Sequence, residues 1–226
     1  GYMHLYLYGI GQGVLHPITQ GEWEVTDFVG LRGDKVYYIS TESSPLKRDL
    51  YRVGLDGKHK ERLTPGDGYY SIYPSADLSY YICEGGDSSA PGRTDVFNAA
   101  GKRVRTLYDN APLKEALVEA GLPVREFFTF TTERGDELNG YMLKPLDFDP
   151  AKRYPVLLTQ YSGPGSQQVA EGWGPDWEDA LVTHGYIVVC VDPRGTGYRG
   201  EEFKKLTYGN LSLIHISEPT RPRLIS

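Results

Sequence analysis

The sequence lacks any apolar run of about 20 residues, the length a helix needs to cross a bilayer, so no segment is expected to span a membrane that way. Cysteine is scarce, with Cys83 and Cys190 alone. Each lies in an apolar, strand-like stretch, which points to two buried thiols rather than a disulfide, and no spacing suits a metal. No cofactor is called for. Cations are outnumbered, 24 Lys and Arg against 30 Asp and Glu, a formal charge of -6. Nucleic-acid surfaces need clustered cations to displace phosphate counterions, so that class of partner is disfavoured. Lys58, Lys60 and Arg62, set among Glu61 and Leu63, read instead as a solvated strand face.

What the chain has in quantity is tyrosine, at 18 residues, with 27 glycines and 15 prolines. That mixture favours strands punctuated by turns. The chain opens on Leu5-Tyr6-Leu7-Tyr8, a pattern of a strand already under way, so it carries no information on a leader segment.

A pattern of about 45 residues recurs through the first half. Leu5-Tyr6 is matched by Leu50-Tyr51 and again by Val96-Phe97; Tyr37-Tyr38 recurs as Tyr80-Tyr81, and the Asp56-Gly57 turn as Ala100-Gly101. The middle unit divides into strands at roughly 25–31, 35–42, 48–55 and 60–64, separated by tight turns. Four short antiparallel strands repeated at this period are what a propeller blade requires, and two and a fraction of them predict a partial β-propeller over 1–110. A β-sandwich is the alternative; the recurrence of turns as well as strands argues against it.

The repeat stops near Tyr108. Pro112 to Ala120 predicts a helix with Gly121 just beyond its end, its Leu113, Leu117 and Ala120 on one face. Strands at 124–132 and 137–144 follow. Pro155 to Gln160 then predicts a strand buried on both faces, Asp176 to His184 a helix turning Trp177, Ala180 and Leu181 to a sheet, and Tyr186 to Val191 the next buried strand. Strand, helix, strand is a parallel unit, so 111–210 is expected to be a partial α/β domain with its chemistry at the carboxyl ends of the strands. Gly195-Thr196-Gly197-Tyr198-Arg199-Gly200 matches the dinucleotide-binding pattern formally. Pro193 and Arg194 separate it from its strand, however, and its glycines are read as turn geometry.

Five segments carry a resemblance that spans Leu5 to Asn210. They are Gly21-Glu22-Trp23-Glu24-Val25-Thr26, Glu42-Ser43-Ser44-Pro45-Leu46 with Leu50-Tyr51, Tyr154-Pro155-Val156-Leu157-Leu158, Gln160-Tyr161-Ser162-Gly163-Pro164-Gly165-Ser166-Gln167, and Asp192-Pro193-Arg194-Gly195-Thr196-Gly197-Tyr198. In their order and spacing the chain resembles the prolyl oligopeptidase family of serine peptidases, in its dipeptidyl peptidase IV-like branch. The resemblance implies the C-terminal blades of a β-propeller followed by the N-terminal part of an α/β-hydrolase domain. It also implies an acyl-enzyme mechanism in which a serine attacks the peptide carbonyl, a histidine relays the proton and an aspartate orients the histidine. The implied parent is a serine exopeptidase that releases N-terminal dipeptides with Pro or Ala at the penultimate position, its partners peptides with a free N-terminus; a homodimer is left open. The family's amine-holding acidic residues lie upstream of Gly1, so Glu22 and Glu24 are not given that role. A periplasmic or extracytoplasmic bacterial location is expected for the parent.

Residue by residue, Tyr161 matches the family tyrosine whose hydroxyl donates to the oxyanion of the tetrahedral intermediate. Arg194 belongs either to the active-site rim or to an ion pair that braces the loop, the second being the preferred account. His184, before Gly185, is read as a cation at a helix C-terminus rather than a general base. Trp173 and Trp177 are expected to pack the loop and the helix.

No Gly-x-Ser-x-Gly elbow occurs in the 226 residues. From Leu211 to Ser226 the sequence resembles a translated sequencing adapter, a non-native tail whose His215 is not the catalytic histidine. Lacking the Ser-Asp-His triad, the chain itself is expected to be inactive. Two competing functions stay open: a non-catalytic propeller-hydrolase protein acting in protein interaction, and an acyl-peptide hydrolase or esterase of the same architecture.

Overall fold

The computed structural model describes residues 1–209, and the adapter-like stretch with His215 lies outside them. The described residues form a β-rich structure of four sheets with a few short helices. Two compact units are present: Gly1–Leu122 together with Ala170–Pro175, and Pro123–Val169 together with Asp176 onward.

In the first unit, β1 (Tyr6–Gly9) and β2 (Gly13–Pro17) form a hairpin. A four-stranded antiparallel sheet follows in sequential order, β3 (Val25–Arg32), β4 (Lys35–Ser40), β5 (Asp49–Gly54) and β6 (Glu61–Arg62). A second repeats the plan with β7 (Tyr69–Pro74), β8 (Tyr80–Gly86), β9 (Arg93–Asn98) and β10 (Arg103–Tyr108). The recurring sequence pairs occupy equivalent places. Tyr38 faces Tyr51 across β4 and β5, and Tyr81 faces Phe97 across β8 and β9. Both pairs stack, with ring centroids 5.7 Å and 5.3 Å apart. The turns match as well: Gly57 N–H donates to Gly54 O and Gly101 N–H to Asn98 O, each glycine at φ 77°. A left-handed residue costs an L side chain roughly 1–2 kcal/mol, so the glycines recur for conformational reasons.

Successive side chains of a strand point to opposite faces, and in β4 both faces are dry. Val36 and Tyr38 join Val25, Tyr51, Val53 and Ile18 in one core, with Leu5 and Leu7 of the hairpin packed against it. Tyr37 and Leu50 join Tyr81, Cys83 and Phe97 of the next sheet in another. Hydroxyls stitch the sheets together: Tyr37 Oη donates to Ala99 O at 3.0 Å and Tyr81 Oη to Leu63 O at 3.1 Å. Asp49, fully buried, accepts from Ser43 and Thr64 and pairs with Arg62, which gives the Glu42–Leu46 segment a structural role. Helix α1 (Ala111–Ala120) has Pro112 in its first turn and ends at Gly121, φ 64°. None of its residues is buried, and Leu113 is exposed. The expected apolar face exists in spacing but covers no core, for three apolar side chains on a ten-residue helix find no sheet to lie on.

The second unit holds one mixed sheet in the order β11 (Glu126–Thr131), β12 (Glu137–Leu143), β14 (Ile187–Val191) and β13 (Val156–Thr159). β13 and β14 are parallel and the other pairings antiparallel. A parallel pair needs a crossover, supplied by α2 (Trp177–Thr183); α3 (Glu201–Lys204) follows β14. No sheet closes into a barrel, and among the described residues β13/β14 is the one parallel pair of strands, apart from an isolated parallel bridge between Arg48 and Tyr69. β14 lies inside the sheet and its Val188 and Cys190 are buried. Both cysteines are free and buried.

Two expectations are corrected. β13 is not buried on both faces: it is an edge strand among the described residues, with Val156 and Leu158 exposed. In α2 the buried side chains are Glu178 and Val182, while Trp177 is 57% exposed and Ala180 lies in solvent. The inward face is rotated from the one the apolar residues mark, because the carboxylate of Glu178, with its hydrogen bonds met inside, takes the place a hydrophobe was expected to fill.

Candidate functional site

The carboxyl ends of β13 and β14 lie side by side because Thr159 pairs with Cys190 in the parallel ladder. Two residues past the last paired position of β13 stands Tyr161, its side chain largely in solvent at 61% exposure. A glycine-rich loop turns back beneath it. Ser166 N–H donates to Gly163 O at 3.1 Å, and Ser166 Oγ donates to Gly163 O at 2.5 Å and to Tyr161 O at 3.3 Å. A Cβ at position 163 would stand 2.7 Å from Cε1 of the Tyr161 ring, so the missing side chain is what lets the ring lie there.

β14 ends on Asp192, which is buried. Its two oxygens accept from the backbone N–H of Gln168 at 2.7 Å and of Val169 at 3.1 Å, and its own N–H donates to Asn139 O. Asp192 thereby holds the far end of the loop that begins at Tyr161. The Gly195–Gly197 turn holds the middle: Gly165 N–H donates to Gly195 O at 2.8 Å, and a Cβ on Gly197 would meet Gly165 O at 2.7 Å. That close backbone approach accounts for Gly197 of the dinucleotide-like pattern, and a positive φ of 86° for Gly195 and Gly200. Arg194 Nε pairs with Asp136 Oδ2 at 2.8 Å, both side chains mostly buried, so the guanidinium ties the loop after β14 to the β11–β12 turn.

Burial pushes the Asp192 carboxyl up to about 6, against the lowering pull of the two amide donors and of Arg199. A carboxyl with a raised folded pKa stabilises the fold most when protonated. Its contribution is full below about pH 4 and is lost as pH rises through about 6, a loss of up to about 3 kcal/mol. Urea unfolding across that window should therefore show the chain losing stability relative to D192N. Parallel profiles for the two would contradict the assignment.

Behind the last paired residue of β13 lies a group the sequence pattern did not flag. Glu178, buried in the first turn of α2, accepts from Tyr141 Oη on β12 at 2.6 Å and from Thr159 Oγ1 on β13 at 2.9 Å. Burial and this carboxylate drive the Tyr141 hydroxyl far above the ordinary phenol range, and burial takes the Cys190 thiol to about 11. The turn of helix itself is fixed by a capping box between Asp176 and Asp179. A partial signal was present: Glu178 and Val182 are four apart, as an inward helical pair must be. His184 caps the other end of α2, exposed, its Nδ1 2.7 Å from Ala180 O, away from Tyr161 in sequence and tied to its own helix. Trp173 is half-buried in the segment that joins the first unit.

Comparison with known proteins follows the same lines. A family model described as the dipeptidyl peptidase IV (DPP IV) N-terminal region matches residues 1–91. A probable dipeptidyl peptidase 4 of Emericella nidulans is 35% identical over 96% of this chain and 29% of its own length. A probable dipeptidyl-aminopeptidase B of Aspergillus niger is 38% identical over 93% of this chain and 24% of its own. The crystal structure of Porphyromonas gingivalis dipeptidyl peptidase 4 superposes with a TM-score of 0.86 at 41% identity, over 92% of this chain and 30% of that one. The chain thus spans less than a third of the length of the relatives it matches.

Proposed function

From a chain that matches the dipeptidyl peptidase IV and prolyl oligopeptidase family in both sequence and structure, we propose that the parent protein is a serine exopeptidase releasing N-terminal dipeptides, with Pro or Ala preferred at the penultimate position. In this proposal the first unit is the C-terminal part of a β-propeller and the second the opening of an α/β-hydrolase domain, divided near residues 110–122. The observation that carries it is the placement of Tyr161: a hydroxyl presented to solvent at the carboxyl end of a parallel strand, its loop held at the far end by Asp192.

The chemistry would run as acyl transfer. Negative charge develops on the scissile carbonyl oxygen once the serine attacks, and the Tyr161 hydroxyl donates to it; one such donor is worth roughly 3–4 kcal/mol in the transition state. Arg194, engaged with Asp136, serves the site by bracing the loop rather than by touching substrate. The greater identity to the Porphyromonas gingivalis relative than to the fungal ones supports a bacterial parent, for which we propose an extracytoplasmic location.

The test is the uninterrupted protein. It should carry a Gly-x-Ser-x-Gly serine beyond position 210 that an organophosphonate labels, and should release X-Pro and X-Ala dipeptides from peptides with a free amine while sparing the N-acetylated forms. Cleavage of acetylated peptides would favour an acyl-peptide hydrolase. Absence of the serine would favour a binding protein of the same architecture.

A further inference from the structure

We propose that Glu178 is a positioning residue for Tyr161, clamping the end of β13 to the sheet and to α2 so that the tyrosine hydroxyl is held where the oxyanion forms. The inference rests on the oxyanion role proposed above for Tyr161. Its basis is geometric. β13 pairs only with β14 among the described residues, and its ladder ends at Thr159. Thr159 is the last residue of that ladder, and its hydroxyl goes to Glu178. The other carboxylate oxygen takes the Tyr141 hydroxyl from β12, two strands away in the sheet order, so one side chain joins β13, β12 and the first turn of α2. Arg125, over the face of the Tyr141 ring at 4.8 Å, holds that phenol from its other side.

Energetics point the same way. A carboxylate taken out of water is costly unless its oxygens are hydrogen-bonded, and here each oxygen takes a hydroxyl. The arrangement fixes geometry: two hydroxyl donors on separate strands hold the carboxylate, and the carboxylate holds them. A strand end free to shift by about an ångström would misplace the Tyr161 hydroxyl, a displacement that can cost on the order of 10²-fold in rate.

The experiment uses the uninterrupted protein and a dipeptidyl substrate, with kcat, KM and melting temperature measured for E178L, E178Q, T159V and Y161F. E178L should lower kcat at least about tenfold with KM little changed, and should lower the melting temperature because it leaves the buried Tyr141 hydroxyl without its acceptor. E178Q should keep most of the activity, since its amide can accept from one hydroxyl and donate to the other. T159V, which cuts the same link from the strand side, should reproduce the kcat loss and gives the answer should E178L fail to fold. In a Y161F background neither change should lower kcat further, because the group being positioned is gone. Wild-type kcat in E178L and T159V, or losses that add fully to that of Y161F, would overturn the proposal. Should Y161F itself leave turnover unchanged, the oxyanion role fails, and the positioning role fails with it.

Discussion

Tyr161→Phe in the uninterrupted protein is expected to lower kcat about 10²–10³-fold, with KM changed little and the melting temperature unchanged. The rate effect follows from removing one preorganised donor to a charge that exists only in the transition state, worth roughly 3–4 kcal/mol, at about 1.4 kcal/mol per tenfold. An interaction absent from the ground state contributes to kcat and not to substrate binding. The lack of a stability effect follows from exposure: the side chain stands 61% in solvent, and removing a solvated hydroxyl leaves no buried partner unmet. Gly163→Ala offers a finer probe. Its new Cβ would meet the Tyr161 ring at 2.7 Å while the backbone at 163 is unstrained, so the ring must swing away with its hydroxyl intact. A loss intermediate between wild type and Y161F is expected, since an aimed donor and a present donor are different things. Steady-state kinetics with a chromogenic dipeptidyl substrate decide it. Unchanged turnover in folded Y161F would end the assignment.

How much of this was legible in the sequence depends on which force placed each residue. The repeated sheets were readable because hydrophobicity and backbone geometry both leave local marks: Tyr37-Tyr38 marks a strand buried on both faces, Tyr81 the buried face of its counterpart while Tyr80 stands exposed, and Gly57 and Gly101 mark left-handed turns. Tyr161 and the Asp192–Gly197 turn were readable through resemblance, and their positions at the ends of adjacent strands agree with the strand–helix–strand pattern. Glu178 was not. A pattern search assigns carboxylates to the surface, and the two hydroxyls that make its burial tolerable come from residues 37 and 19 positions away in the chain. The same blindness rotated α2: with Glu178 presumed outward, Trp177 had to be inward, and it is not. The exposure of β13 was hidden for a different reason. Val156-Leu157-Leu158 is as apolar as a central strand, and composition alone does not tell a central strand from one at the edge of the sheet.

Expressed as these 226 residues alone, the chain is expected to show no dipeptidyl peptidase turnover and to self-associate. Acyl transfer needs a nucleophile, and the sequence holds no Gly-x-Ser-x-Gly elbow for Tyr161 to serve. In a serine peptidase, loss of the nucleophile removes about 10⁶-fold in kcat, which puts any residue of activity below detection. Association follows from where the apolar groups lie. In the first unit the β1–β2 hairpin leaves Tyr6, Tyr8, Ile10, Val14 and Leu15 exposed, and in the second unit Val156 and Leu158 are exposed on an edge strand whose outer backbone groups offer pairing to another chain. Clusters of exposed hydrophobes and open strand edges are the surfaces through which β proteins aggregate, and a net charge of -6 spread over the chain opposes this only through screened, long-range repulsion. Sedimentation velocity should show species that grow with concentration. Lysine at both Ile10 and Val156, one charge on each exposed surface, should shift them toward monomer with the circular dichroism spectrum unchanged. A monodisperse wild-type chain that turns over a dipeptidyl substrate would require a nucleophile elsewhere in the 226 residues, and with it a different enzyme.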